Sequence, residues 1–207
     1  WLNYLGGKSI NGLPVLFSEE NAVTYHIYYK VINAKNLNVP QNRERVFIIG
    51  IKDDKDNVFQ FPKDEPLTKK LKDVLEKEVD KKYFLDEKKV NEMLLNTNNS
   101  LSIKIKSANS KGYEEATEGD SINFTRLHSE TRRGRVGKQI AQSLECISNQ
   151  ATLKQDTIRR LTPRECFRLM DFPETFTWSC SDSQAYKQAG NSIVVKCLEK
   201  IIEKLKL

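Results

Sequence analysis

Apolar and polar positions change period several times along the chain, and each change marks an element. YHIYYKVIN (25–33) alternates and is rich in β-branched and aromatic residues, which predicts a strand. VFIIGI (46–51) is apolar on both faces, which suits a buried strand in a covered sheet. From 67 to 80, Leu67, Leu71, Val74, Leu75 and Val79 fall on one helical stripe among charges of both signs. A second, shorter helix is predicted over 86–96, and LSIKIK (101–106) alternates like a half-exposed strand. Residues 107–158 hold Gly, Ser, Asn and Arg with only short apolar runs, and so predict a loop-rich lobe with few regular elements. In RRLTPRECFRLMDFP (159–173), Thr162 is a good N-cap, Pro163 sits at N1 and Glu165 at N3. That helix should run from Pro163 to about Asp171. SDSQAYKQ (181–188) reads as a short helix ended by Gly190. Asn191 or Ser192 should cap a last helix with Val194, Leu198, Ile201 and Leu205 as its stripe. Gly6, Gly7, Gly12 and Pro14 break any period in residues 1–24. The chain has no internal repeat and no low-complexity linker.

Length and composition narrow this plan. A chain of 207 residues, 38% hydrophobic and 30% charged, supports one good core or a core plus a small lobe. The net charge of +6 permits nucleic-acid binding without requiring it. The distribution says more than the total. Residues 51–100 carry 11 basic and 12 acidic side chains, whereas 101–160 carry 11 and 7, with RLHSETRRGRVGK (126–138) the densest part. Cys146, Cys166, Cys180 and Cys197 include no CxxC pair, so neither a zinc site nor a disulfide framework is predicted. His26 and His128 form no metal pattern. With no signal peptide and no long apolar run, a reducing cytoplasm is the expected compartment. The first residue is Trp1 rather than Met, which predicts a processed, cut or excised piece of something longer.

Candidate chemistry begins at QNRERVFIIG (41–50). Arg43 and Arg45 are two apart at the mouth of a strand, which places both guanidiniums on one side. They suit a phosphate, a nucleobase edge or simply a salt-bridge partner. TRRGRVGK (131–138) sets Arg132, Arg133, Arg135 and Lys138 among two glycines, which let a backbone approach a duplex closely. Asn191 and Ser192, at the expected start of the last helix, would present free N–H groups to an anion.

Three stretches, VPQNRERVFIIG, RRLTPRECFRLMDFP and QAYKQAGNSIVV, in this order and spacing, resemble the eighth, ninth and tenth motifs of the cytosine-5 DNA methyltransferase family. The resemblance covers roughly 25–207 and is to the C-terminal part of that family. The departures lie in the first half of the family pattern. No cysteine follows a proline, no Gly-rich methyl-donor loop is present, and Glu20-Asn21, only about twenty residues before Gln41, reads as a polar turn.

The resemblance implies an α/β fold: the C-terminal part of a Rossmann-like methyltransferase sheet with a loop-rich, mixed target-recognition lobe inserted. Its divisions would be 1–54, the end of the catalytic α/β domain; 55–158, the recognition domain; and 159–207, helices returning to the catalytic domain. It implies S-adenosyl-L-methionine as cofactor, double-stranded DNA as partner, and a missing N-terminal catalytic half as cut fragment or separate subunit. Arg45 would contact cytosine O2 and the adjacent phosphate of a flipped base. Arg43 would brace the catalytic loop or a phosphate, and Gln41 would hold the loop conformation. Arg132, Arg133, Arg135, Lys138 and Ser143 would contact DNA. Asn191 and Ser192 would edge the methyl-donor pocket. Arg160, Thr162, Arg164 and Glu165 read as scaffold. No metal is implied. The rival expectations are a non-catalytic DNA-binding module and a regulatory partner of an intact methyltransferase.

Overall fold

The computed structural model of the chain describes residues 2–52, 59–95, 102–125, 129–131, 133–154 and 157–205. In chain order these form α1 (Leu2–Leu5), β1 (Ser9–Ile10), β2 (Leu13–Pro14), β3 (His26–Asn33), β4 (Gln41–Asn42), β5 (Glu44–Ile51), α2 (Glu87–Met93), β6 (Ile103–Lys106), β7 (Tyr113–Ala116), β8 (Ser121–Asn123), β9 (Val136–Gly137), β10 (Ala141–Gln142), β11 (Gln150–Lys154), β12 (Thr157–Arg160), α3 (Pro163–Leu169), α4 (Asp182–Asn191) and α5 (Val195–Ile202).

The two strands expected at 25–33 and 46–51 form the first sheet's longest ladder. β3 and β5 pair antiparallel from His26 opposite Ile51 to Asn33 opposite Glu44, within the order β2-β1-β3-β5. One face packs Tyr28, Ile32 and Phe47 against Leu161, Phe167, Leu169, Ala185, Ala189 and Ile201, from β12's end and the three C-terminal helices. Ile27 is buried on the other face, but beyond it that face is open among the described residues: Tyr29, Val31, Val46 and Ile48 are 41%, 57%, 60% and 52% exposed. β5, expected to be covered on both sides, is covered on one.

A second core is built from Met93, Ile105, Ala116, Ile122, Ala151, Leu153 and Ile158. It lies between α2, the β6–β7 hairpin and the sheet β12-β11-β8-β9. This region holds six strands from β7 to β12, where a loop-rich lobe was expected. The strands have two to five residues each, too short for alternation to show. The parallel pair β10–β4, a small sheet of its own, ties the lobe back to the segment that leads into β5.

The helix expected over 67–80 is absent; a single 3₁₀ turn, Leu71–Asp73, stands in its place. The apolar stripe holds in part: Leu71 and Val74 are buried, Leu75 and Val79 half-buried, and Leu67 exposed. The backbone donors are bound elsewhere. The amides of Thr68 and Lys69 donate to Asn38 Oδ1, and Leu71 N donates to Gln139 O. Tertiary partners thus replace the intrahelical ladder. α3 follows expectation at its start. Thr162 Oγ1 accepts from Glu165 N at 3.2 Å and Glu165 Oε2 accepts from Thr162 N at 2.8 Å, with Pro163 at N1. It ends two residues early, at Leu169, and Asp171 turns out at φ 59°.

Candidate functional site

The segment 41–45 crosses the seam between the first sheet and the helices. Gln41 is fully buried. Its Nε2 donates to Leu169 O at 2.8 Å and its Oε1 accepts from Leu144 N at 3.3 Å, so one side chain joins β4, the end of α3 and the strap after β10. Arg43 precedes β5 and turns inward, 4% exposed. Its Nη1 donates to Leu144 O at 3.1 Å and to Ser143 Oγ at 3.4 Å. Its Nη2 donates to Gly190 O at 2.9 Å and Ser192 O at 3.0 Å. All four acceptors are neutral. Two are carbonyls at the C-terminal end of α4, where the helix dipole favours a cation. Burial, and then the charge of Arg45, pull Arg43 down to about 10, which still leaves it protonated at neutral pH.

The two arginines therefore do not project together. Arg45 is exposed, and its Nη1 donates at 2.6 Å to the carbonyl of its neighbour Glu44. Spacing placed them on one face, but Arg43 stands outside β5 and the alternation does not reach it. The salt-bridge alternative fails too, because no carboxylate meets Arg43 among the hydrogen bonds and ion pairs of the described residues.

Asn191 and Ser192 lie at a helix C-terminus. Asn191 is the last residue of α4, Ser192 is its C-cap, and the N-cap of α5 is Val194. The free N–H groups that would favour an anion are absent there: Ser192 N donates to Gln188 O. Gly190, expected to end a helix, lies inside one. A side chain at that position would collide with the carbonyl group of Glu145, so the glycine serves close approach and not termination. Asn191 remains exposed, and its Oδ1 accepts from Cys146 Sγ at 2.9 Å.

The basic segment of the lobe divides sharply. Arg132 lies outside the described residues, as does His128. Arg133 is exposed; its Nε donates to Ala108 O at 2.9 Å. Arg135 faces inward, 1% exposed, and donates through Nη1 to Thr125 O, a position removed from any surface partner. Lys138 Nζ lies 2.9 Å from the buried carboxylate of Asp120, so its charge is answered within the chain. Burial alone would raise the Asp120 carboxyl, but hydrogen bonds from Lys138, Thr117 and Gln139 hold it below the usual range.

Sequence reasoning missed the partner that locks α3 to the lobe. Arg159, 2% exposed in its side chain, forks onto Glu165, fully buried, through Nη2–Oε1 at 2.7 Å and Nη1–Oε2 at 2.8 Å. Glu76 N also donates to Glu165 Oε1 at 2.7 Å. Arg164 lies over the Trp178 ring, 4.8 Å from its centroid, and Arg160 lines a surface cavity with Tyr83 and Lys187. The described residues hold no group of three or more His, Cys, Asp or Glu able to bind a metal, and no helix among them is long and apolar enough to cross a membrane.

Comparison with known proteins gives this arrangement its context. The model of the C-5 cytosine-specific DNA methylase family matches residues 5–207. The chain is 36% identical over 185 residues to the type II methyltransferase M.DsaV of Dactylococcopsis salina, covering 88% of this chain and 48% of that one. It is 32% identical over 206 residues to M.SsoII of Shigella sonnei, covering 98% and 50%. It thus spans about half the length of the curated relatives it matches. In fold it resembles the S. pombe Dnmt2 methyltransferase, with a TM-score of 0.52, 23% identity, and 88% and 60% coverage. A DNMT2 mutant of Spodoptera frugiperda gives 0.55, 15%, and 87% and 58%. By the extent of the family match, the chain belongs to the C-5 cytosine-specific DNA methylase family.

Proposed function

We propose that this chain is the target-recognition lobe and sheet-completing C-terminal portion of a DNA cytosine-5 methyltransferase, acting on double-stranded DNA together with a catalytic half it does not itself carry. The proposed recognition domain, 55–158, has at its centre the second core, Met93 to Ile158, while Phe59, Leu71, Val74, Ala141 and Leu144 from the same span pack into the first core and tie the two together. The observation that carries the reading is the contrast within 41–45. Both terminal nitrogens of Arg43 are engaged in holding α4 and the strap, which leaves Arg45 as an exposed cation at the mouth of the same strand.

In this reading the reaction needs a thiolate at cytosine C6 to make C5 nucleophilic, and a base drawn out of the duplex. Arg45 would support O2 of that base and its phosphate. Gln41 and Arg43 would fix the strap that carries Ser143, whose hydroxyl would meet a phosphate beside the flipped nucleotide. Arg133 would be the DNA contact of the basic segment. The thiolate is assigned to the other half. Burial pushes the thiol of Cys166 far up and that of Cys197 up to about 11, so both stay protonated at neutral pH.

S-adenosylmethionine would supply an electrophilic methyl group. The residues here fit it only as an edge. The Asn191 side-chain amide is exposed with its nitrogen uncommitted, and Ile193 beside it is 39% exposed. Ser192, with its carbonyl on Arg43 and its hydroxyl on Ala189 O, would act through shape.

The test is incorporation of labelled methyl into cytosine-containing duplex, with and without a chain bearing the first half of the family pattern. The lone chain should transfer none, and the pair should be active. In the pair, Arg45→Ala should reduce methyl transfer far more than duplex binding. Robust transfer by the lone chain would overturn the half-enzyme reading. Equal losses in both measurements would reduce Arg45 to a phosphate anchor. A chain that binds duplex with or without the partner but never supports transfer would favour the binding-module alternative.

A further inference from the structure

The described part of the basic segment is pinned to the β6–β7 hairpin by one acid. Glu114 Oε1 accepts from Gly134 N at 2.8 Å and from Ser107 Oγ at 2.6 Å, while Oε2 accepts from Val136 N at 2.8 Å. Three donors from two separate segments converge on a single carboxylate. Gly134 sits at φ 65° with nothing within 4 Å of where a Cβ would be, so its backbone conformation, not crowding, calls for glycine. On one side of this turn Arg133 Nε donates across to the hairpin at Ala108 O. On the other, Arg135 is buried as an anchor. The terminal groups of Arg133 are exposed and make no hydrogen bond to a described residue.

We infer that Glu114 is a positioning residue for sequence recognition: it holds the 133–136 turn so that Arg133 meets DNA in one fixed orientation. The inference rests on the DNA-methyltransferase reading above. The physical reason lies in the difference between the two kinds of nucleic-acid contact. A phosphate accepts a cation from many directions, so a loose arm suffices for it. A base edge accepts a guanidinium in one plane, and a side chain already held there loses less freedom on binding. A carboxylate beside a DNA-binding turn also works against raw affinity, because it repels the phosphates. Its place in the turn is therefore explained by shape and not by attraction.

Charge and shape make opposite predictions for Glu114→Gln, and that separates a positioning role from a general one. An amide keeps the size but offers one oxygen where two are needed, and it turns an N–H toward an N–H of the backbone. The preferred sequence of the wild-type chain is first selected from a randomised duplex pool. Affinities for that duplex and for a scrambled one are then measured by fluorescence anisotropy across a salt series. With Glu114→Gln, preference for the selected duplex should fall about tenfold or more, the scale of a lost base contact. Affinity for the scrambled duplex should hold or rise, and the salt slope should stay the same because no phosphate contact is removed. Gly134→Ala loosens the same turn through the backbone alone and should reproduce the loss of preference. Thermal unfolding followed by circular dichroism confirms that both variants fold.

Unchanged preference in both folded variants would overturn the inference, and so would equal losses on both duplexes. If Glu114→Gln does not fold, the Gly134→Ala result decides alone. A wild-type chain that binds duplex but selects no sequence overturns the inference and leaves methyl transfer untouched. One that binds no duplex overturns the DNA reading as well.

Discussion

At the seam between the first sheet and α4, a buried guanidinium is held by neutral acceptors. At the seam between the lobe and α3, one is held by a carboxylate. Arg43 meets three carbonyls and a hydroxyl; Arg159 meets both oxygens of Glu165. The first arrangement leaves the positive charge uncompensated by any acid and fixes direction, since its acceptors belong to three backbone positions and one side chain. The second balances charge within the pair and leaves almost no net field. A cation placed by carbonyls also acts on its neighbour: Arg43 and Arg45 repel, which favours Arg45 outside. The difference suggests that the α4 seam orients a site and the α3 seam holds two parts of the molecule together.

Substitutions should separate the seams by size. Glu165→Ala should cost the most, about 3–5 kcal/mol, because it strands a buried guanidinium. Urea unfolding with an unchanged slope is the measurement, and a loss under 1 kcal/mol would erase the contrast. Arg43→Met should cost about 2–4 kcal/mol by leaving buried carbonyls without donors. In the reconstituted enzyme its loss of activity should exceed what that instability explains. The double change Arg159→Met with Glu165→Leu should be much milder, about 1 kcal/mol or less of either sign, since it removes both charges together. No comparable pair exists for Arg43, whose partners are mostly backbone.

Acid should distinguish the lobe more gently. Glu114 and Asp120 are each raised by burial but held below the usual carboxylate range by the hydrogen bonds they accept. Their contribution is complete above the ordinary carboxylate range and is lost as pH falls through the depressed values. The amides of Gly134 and Gln139, which donate to these two acids, should lose their exchange protection as pH falls below the ordinary carboxylate range, before those of β3 and β5 do. Smallest of all, the half-exposed Arg168–Glu174 pair should contribute about 0.2–1 kcal/mol and less as salt is added.

Legibility followed locality. β3, β5, α2, β6 and the start of α3 were readable because period and capping are set by residues within a few positions of each other. The 67–80 stripe misled because its buried residues were right and its backbone partners were distant: Asn38 and Gln139 took the amides that a helix would have used. Arg43 and Arg45 were recognised as a pair, but which of them would turn inward depended on Gly190 and Ser192, nearly 150 residues away. Arg135 looked like surface charge until Thr125 was folded against it, and Lys138, which does stay exposed, gave no local sign of its partner Asp120. Glu114 gave no local signal at all, since its donors lie seven residues before it and twenty or more after.

Gly190 carries a consequence for anyone who surveys this protein by saturation mutagenesis. Its missing side chain lets α4 lie directly on the strap at Glu145 and Cys146. Every replacement must push that strap, and the strap carries Ser143 and Leu144, the groups that Arg43 grips. Position 190 should therefore score among the least tolerant in a screen for methylation, with alanine nearly as harmful as larger residues. It would look like a chemical residue to a statistical eye. A paired readout of abundance and activity, position by position, would reveal it as a spacing residue whose failures travel through geometry.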